Sequence, residues 1–274
     1  HLQRRRQRQM CIRDRNEIGL DPGIDHLMAH KLVNELKKSE LMNAETEISF
    51  LSYCGGVPKV PNEFKYKFSW SPLGVLKALK SPSRSIKDFE NFEVSRPWDA
   101  ITSYNAPLNN PEEFEVYPNR DSIPFIEQYI FDRNWKIKQF VRGTLRLKGW
   151  AQAWASIFNE IETLNGQAGE KRLIEMSEQF WRDNAYADNE PDRVILCVDL
   201  KAEQNNNVIW HKTYKMDAWG DTRGTAMARL VSYPVSFAVR AIINNDTDHG
   251  VSAASRKPYL VDNWLEDISS LAQE

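Results

Sequence analysis

The chain has 274 residues, 41% hydrophobic and 27% charged, enough to bury the core of one large domain or two modest ones. Its 36 basic and 38 acidic side chains leave a formal charge of −2, so no whole-molecule field draws it to nucleic acid or anionic lipid. Cys11, Cys54 and Cys197 share no repeating spacing, which argues against a disulfide framework and for a reducing, cytoplasmic setting. No apolar run approaches the roughly 20 residues of a membrane helix.

The arginine-rich stretch 1–15 (HLQRRRQRQMCIRDR) differs in composition from everything after it. It is read as a non-native leader and left out of the fold, with a nucleic-acid-binding arm as the alternative. Apolar residues at Ile24, Leu27, Met28, Leu32, Val33 and Leu36 then trace a helical stripe, with Asp21 and Pro22 at its entrance. Residues 47–54 (EISFLSYC) read as a buried strand ending in a tight turn at Gly55-Gly56. Residues 65–70 (KYKFSW) alternate like a half-exposed strand, and Ser71-Pro72 supplies an N-cap and first-turn proline for the helix LGVLKALK.

Short alternating runs between 81 and 116 predict strands and a mobile loop, and residues 117–125 (YPNRDSIPF) predict a turn cluster. A strand over 139–147 (QFVRGTLRL) precedes amphipathic helices over 150–164 and 171–181. Segments 193–203 and 208–219 flank three asparagines, a hairpin signal. Two helices, near 224–231 and 234–244, precede a polar tail. The class is α/β or α+β with antiparallel pairs, and the chain holds no G-x-G-x-x-G, no G-x-x-x-x-G-K-[ST] and no H-E-x-x-H.

Three groups of side chains are candidates for chemistry. His26 and His30, four apart beside Asp25, have helical ligand spacing but lack the zinc-protease pattern. The open readings there are a helix cap from Asp21 or Asp25 with surface histidines, or Asp21 accepting a hydrogen bond from a substrate ammonium at a strand-to-helix turn. Cys54, before two glycines, is either a buried strand-end cysteine or one lining a pocket. Arg120, Arg142 and Arg146 suit bidentate recognition of carboxylates, or structural ion pairs.

The motifs NEIGLDPGIDHL, SFLSYCGG-P, YKFSWS-x-x-GVL, YPNRDS-P and VRGTLR, in this order, resemble the NADP-dependent, L-glutamate-forming saccharopine dehydrogenase family, and TRGTAMARLVSYPVSFAVR resembles its closing helices. The resemblance spans about residues 16–251. It implies the substrate-binding part of an oxidoreductase that interconverts saccharopine with aminoadipate semialdehyde and glutamate through an imine, using NADP. The implied architecture is a mixed-sheet domain of the glyceraldehyde-3-phosphate-dehydrogenase C-terminal type. In it 16–30 is a junction, 31–219 the substrate-binding and dimerisation domain, and 220–274 closing helices that return to a Rossmann domain. The implied cofactor contacts are Leu20, Asp21, Pro22 and Ser71. The implied substrate contacts are Asp21, Arg120, Thr144, Leu145 and Arg146, with Asp21 and Cys54 as the catalytic candidates. A homodimer with a small polycarboxylate amine as substrate, and no nucleic-acid or membrane partner, completes the expectation. The segment between VRGTLR and TRGTAMA departs from the family, which leaves carboxynorspermidine-type conjugates as an alternative substrate, and a non-catalytic amino-acid-binding or dimerisation module as an alternative role.

Overall fold

A computed structural model describes residues 13–274. In chain order the elements are β1 (Arg13–Arg15), α1 (Ile24–Lys38), β2 (Glu47–Pro58), α2 (Pro72–Leu79), β3 (Ser83–Lys87) and β4 (Glu90–Val94). After a 3-10 turn at Pro97–Ala100 come β5 (Thr102–Ala106), β6 (Glu112–Pro118), α3 (Pro124–Gln128) and β7 (Lys136–Leu147). Helices α4 (Trp150–Ala153), α5 (Ala155–Thr163) and α6 (Gly166–Asn184) precede β8 (Asp192–Gln204) and β9 (Asn207–Trp219). The chain closes with α7 (Ala226–Ile243), β10 (Gly250–Ser252) and α8 (Pro258–Ser269).

The two apolar strand segments seen in the sequence become neighbours at the centre of an eight-stranded mixed sheet. There β2 and β7 run parallel, with Ser52 opposite Arg142 and Cys54 opposite Thr144. β8 pairs antiparallel along the whole of β2, and β9 follows it through a hairpin. Asn205 and Asn206 turn that hairpin with φ of 50° and 62°, the primed geometry that matches strand twist. The other edge of β7 is divided: Phe140 and Gln139 pair with β3, and residues 143–147 pair with β6. β4 and β5 extend those two branches.

Period-two alternation assigns the sheet's faces. Val141, Leu145 and Leu147 of β7 join Tyr53, Val57, Phe114 and Ile195 in a cluster on one face. The other face carries two helix-covered clusters. One packs α1, α7 and α8 on Phe50, Phe140, Val194 and Leu196. The second packs α2, α5 and α6 around Tyr66, Phe68, Tyr117, Trp150 and Trp154. Fully burying a large apolar side chain stabilises by about 1.5–3 kcal/mol, so each cluster anchors its helices independently. Arg142, Thr144 and Arg146, at alternate positions of β7, lie on this helix-covered face.

The structure departs from expectation at definite places. Residues 1–12 lie outside the described residues, Cys11 among them, but the last three residues of the supposed leader form β1, paired in parallel with β10. Gly55 and Gly56 make no turn: β2 runs through both, because an added Cβ at Gly55 would meet Leu145 O at 2.2 Å and one at Gly56 would meet Met227 Cε at 2.5 Å. Segment 65–70 is not a strand; only Phe68 bridges, to Ala185, and the buried Tyr66 and Phe68 satisfy a core instead of a ladder. The helix expected over 150–164 breaks at Trp154.

The two closing helices are one, α7, continuous through Pro234, whose buried face with Leu230, Phe237, Ala238 and Ala241 offsets the missing backbone bond. α7 is also long and apolar enough, by composition alone, to cross a membrane, although the sequence reading finds no such run. Its Arg229 is buried and held by Asp221 and the carbonyls of Trp219, Gly224 and Leu271. The polar tail contains α8, which buries Leu260, Val261, Trp264 and Ile268.

Candidate functional site

The loop before α1 is placed by its own backbone. Gly23 takes φ 148°, and a Cβ there would meet Gly19 O at 2.1 Å, so Gly23 lets residues 19–23 fold back on themselves. Leu20 sits in the core, while Asp21 and Pro22 are half-buried beside it. Asp21 pairs with the Arg142 guanidinium, reached from β7. The same guanidinium binds Asp25, Nη2 at 3.0 Å and Nε at 3.3 Å from Oδ2, and lies 3.7 Å over the Phe125 ring.

Asp25 has no solvent exposure and four donors meet it. Besides Arg142, its carboxylate accepts from Gly23 N at 2.6 Å, from the Tyr129 hydroxyl, and faces His26 Nδ1 at 3.2 Å. Tyr129 in turn accepts from Arg142 Nε at 2.7 Å. His26 Nε2 faces Gln128 Oε1 at 2.9 Å, and His30 lies between the carbonyls of Ser255 and Gln128, each at 2.9 Å. Both histidines are fully buried, which corrects the expectation of surface histidines: the stripe carrying them also faces α3 and α8.

One cation between two buried carboxylates creates asymmetry. Burial pushes Asp21 up to about 6, against the pull of Arg142. Burial would raise Asp25 too, but Arg142, His26 and Tyr129 outweigh it and hold Asp25 well below the usual carboxylate range. His26 loses to burial and gains more from Asp25, so its pKa is raised; burial lowers His30 to about 4. Burial, then Asp21 and Asp25, push the Cys54 thiol well up, so it stays protonated.

Four residues along β7, roughly 13 Å away at about 3.3 Å per residue, lies Arg146. It is 6% exposed and makes no ion pair among the described residues. Tyr66, Trp150 and Tyr117 surround it, with ring centroids 4.7, 5.3 and 5.7 Å from its guanidinium carbon. Among the described residues Nη1 reaches only the carbonyl of Leu145, and both Arg146 Nε and Trp150 Nε1 are buried donors without an acceptor. Thr144, half-buried, lies between the two arginines, with Cys54 and Tyr117 as its strand partners.

The structure thus gathers Asp21, Cys54, Thr144 and Arg146 on one face, beside Leu20 and Pro22. It separates Leu145, whose side chain points into the opposite core and whose carbonyl lies against Gly55 of β2. Arg120 is exposed at φ 52°, with no ion pair among the described residues, and its carbonyl accepts from Arg84 N at 2.8 Å. Ser71 is exposed and its hydroxyl caps α2, accepting from Gly74 N at 3.2 Å. Arg142, Asp25 and Tyr129 are the members the sequence reading underweights. The i, i+2, i+4 spacing of Arg142, Thr144 and Arg146 signals the first; nothing local signals Tyr129, which is brought in by α3.

For a dinucleotide, Leu20, Asp21, Pro22 and Ser71 offer one carboxylate and one hydroxyl already engaged as a cap. These four supply no cation for a pyrophosphate.

The family model described as the saccharopine dehydrogenase C-terminal domain matches residues 19–270. The NADP(+), L-glutamate-forming saccharopine dehydrogenase of Saccharomyces cerevisiae is 40% identical over an alignment of 320 residues, covering 92% of this chain and 70% of that protein. Its counterpart from Pyricularia oryzae is 43% identical over 141 residues, 50% of this chain and 30% of the relative. The alpha-aminoadipic semialdehyde synthase of Arabidopsis thaliana is 35% identical over 148 residues, 13% of its length. The chain therefore spans under a third of the length of the last two relatives. A solved apo structure of the S. cerevisiae L-Glu-forming enzyme superposes with a TM-score of 0.71 at 25% identity, covering 94% of this chain and 72% of that one.

Proposed function

The chain belongs to the saccharopine dehydrogenase family, and from that premise we propose that it forms the substrate-binding part of an NADP-dependent oxidoreductase. The reaction is the interconversion of saccharopine with aminoadipate semialdehyde and L-glutamate, a step of lysine metabolism. The observation that supports this most is Arg146: a caged guanidinium with no counter-carboxylate among the described residues, on the sheet face that carries Cys54 and against which Asp21 is held. A buried cation left unpaired costs stability, and a substrate carboxylate is the partner that would repay it.

In this reading Arg146, entered by its Nη edge, holds one substrate carboxylate, and the exposed Arg120 swings to a second. Thr144 orients the chain between them. Asp21, its carboxyl pushed up to about 6 by burial, accepts the proton of the secondary amine as the imine forms and returns it in the reverse direction. Cys54, kept as a thiol, is a neutral neighbour of the reacting carbon and not a nucleophile. NADP, when bound, supplies the hydride chemistry. Asp21, Pro22 and Leu20 would line its nicotinamide end, with Ser71 at the edge.

The phosphates need a nucleotide-binding domain of the kind the longer relatives leave room for. The outward stripe of α7, Val231, Val235, Val239 and Ile243, all exposed, is where we place its contact. The test is NADPH oxidation with aminoadipate semialdehyde and glutamate by the protein joined to the nucleotide-binding part of the yeast enzyme. Arg120→Ala should raise the substrate KM and leave NADPH affinity unchanged; equal loss of both would contradict the assignment.

A further inference from the structure

The Arg142 guanidinium has to serve two carboxylates, and the structure does not treat them alike. Asp25 takes two of its N–H groups, the Gly23 amide and the Tyr129 hydroxyl, and is sealed from water. Asp21 takes one contact, from Nη2, and its side chain remains 19% exposed. Tyr129 closes a triangle by accepting from Arg142 Nε at 2.7 Å while donating to Asp25. The hydroxyl therefore fixes the guanidinium's angle toward Asp25. The Phe125 ring, 3.7 Å below, blocks it from tilting away.

We infer that Asp25 and Tyr129 are positioning residues that assign the single positive charge of Arg142 to Asp25, leaving Asp21 as the proton-carrying carboxyl of the site. Two anions around one cation leave one proton to be taken up, and the carboxylate with more donors keeps its charge. The groups facing Asp21 are Arg142 from β7, Asp25 and His26 from α1, Cys54 from β2, and Tyr129 after α3; Glu17 reaches His26 at 3.5 Å. The inference rests on the dehydrogenase reading only for what the proton is used for; where the proton sits is a property of this chain alone.

The test follows the Asp21 carboxyl carbon by NMR across pH 4 to 9, with Asp21→Asn identifying the signal. Asp25→Asn removes the competing anion, gives Asp21 the whole of Arg142, and should increase Asp21's acidity at least tenfold. Tyr129→Phe removes one donor from Asp25, draws Arg142 further onto it, and should move Asp21 the opposite way. Both shifts support the inference. An unchanged Asp21 midpoint in a folded Asp25→Asn protein overturns it, as does a wild-type titration that belongs to Asp25. If Asp25→Asn does not fold, Tyr129→Phe decides alone: an unmoved midpoint overturns the inference. Parallel movement of the acid limb of saccharopine turnover would tie the proton to catalysis. Shifts in the NMR titration without any saccharopine turnover by the protein joined to the nucleotide-binding part of the yeast enzyme would keep the positioning role and reject the dehydrogenase reading.

Discussion

Replacing Asp21 by asparagine is expected to stabilise the protein at neutral pH. The folded protein holds this carboxyl at about 6 against an ordinary 3.8. Because the folded value is raised, folding favours the protonated form: its contribution is fully present below about pH 4 and lost as pH rises through 6. At pH 7 the wild type therefore carries a deficit of at most about 3 kcal/mol. Asparagine removes the charge and keeps the shape. Arg142 is not orphaned, because Asp25 still binds it through Nη2 and Nε, so the usual penalty of breaking a buried pair does not apply. For a chain of this size such a change shifts Tm by roughly 6–12 °C. Differential scanning calorimetry of both proteins at pH 7.5 and pH 4 measures it, with the gain present at the higher pH and absent at the lower. A variant less stable than wild type at pH 7.5 would mean that Asp21 and Arg142 form a net stabilising pair and that the proton assignment is wrong.

Other outcomes follow from the same geometry. Arg146→Met should leave the fold intact or slightly more stable by thermal melt, since it deletes a buried cation lacking a counter-ion among the described residues. It should weaken saccharopine binding by about 2–3 kcal/mol, some 30- to 150-fold by calorimetry. Gly55→Ala forces a Cβ to within 2.2 Å of Leu145 O, backbone that cannot move without parting β2 from β7; a loss above about 3 kcal/mol in urea unfolding is expected. Trp264→Ala, on the buried face of α8, should cost about 3–5 kcal/mol by the same assay.

Local patterns carried much of the fold. The α1 stripe, the Ser71-Pro72 start of α2, and the β8–β9 hairpin with its asparagine turn are each specified by neighbours in the sequence. What failed depended on partners far away. Gly55-Gly56 looks like a turn until Leu145 and Met227 are known to press on it. Pro234 looks like a helix boundary unless the buried side of α7 is known. The stripe of Leu260, Val261, Trp264 and Ile268 behind Pro258 has helical spacing, but the polar residues around it mask the signal. In the site, VRGTLR and LDPGID give the arginines and the aspartates by spacing. The unequal sharing of Arg142 depends on Tyr129, 104 residues from Asp25, and no local signal announces it.

The central claim is that Arg146 receives a substrate carboxylate. Following its side-chain Nε–H resonance in 15N-labelled protein during a titration with saccharopine tests this most directly. A saturable shift of that resonance is expected, while the β7 backbone amides stay where they were. An Arg146 resonance unmoved at saturating saccharopine, with shifts confined to other residues, would contradict it.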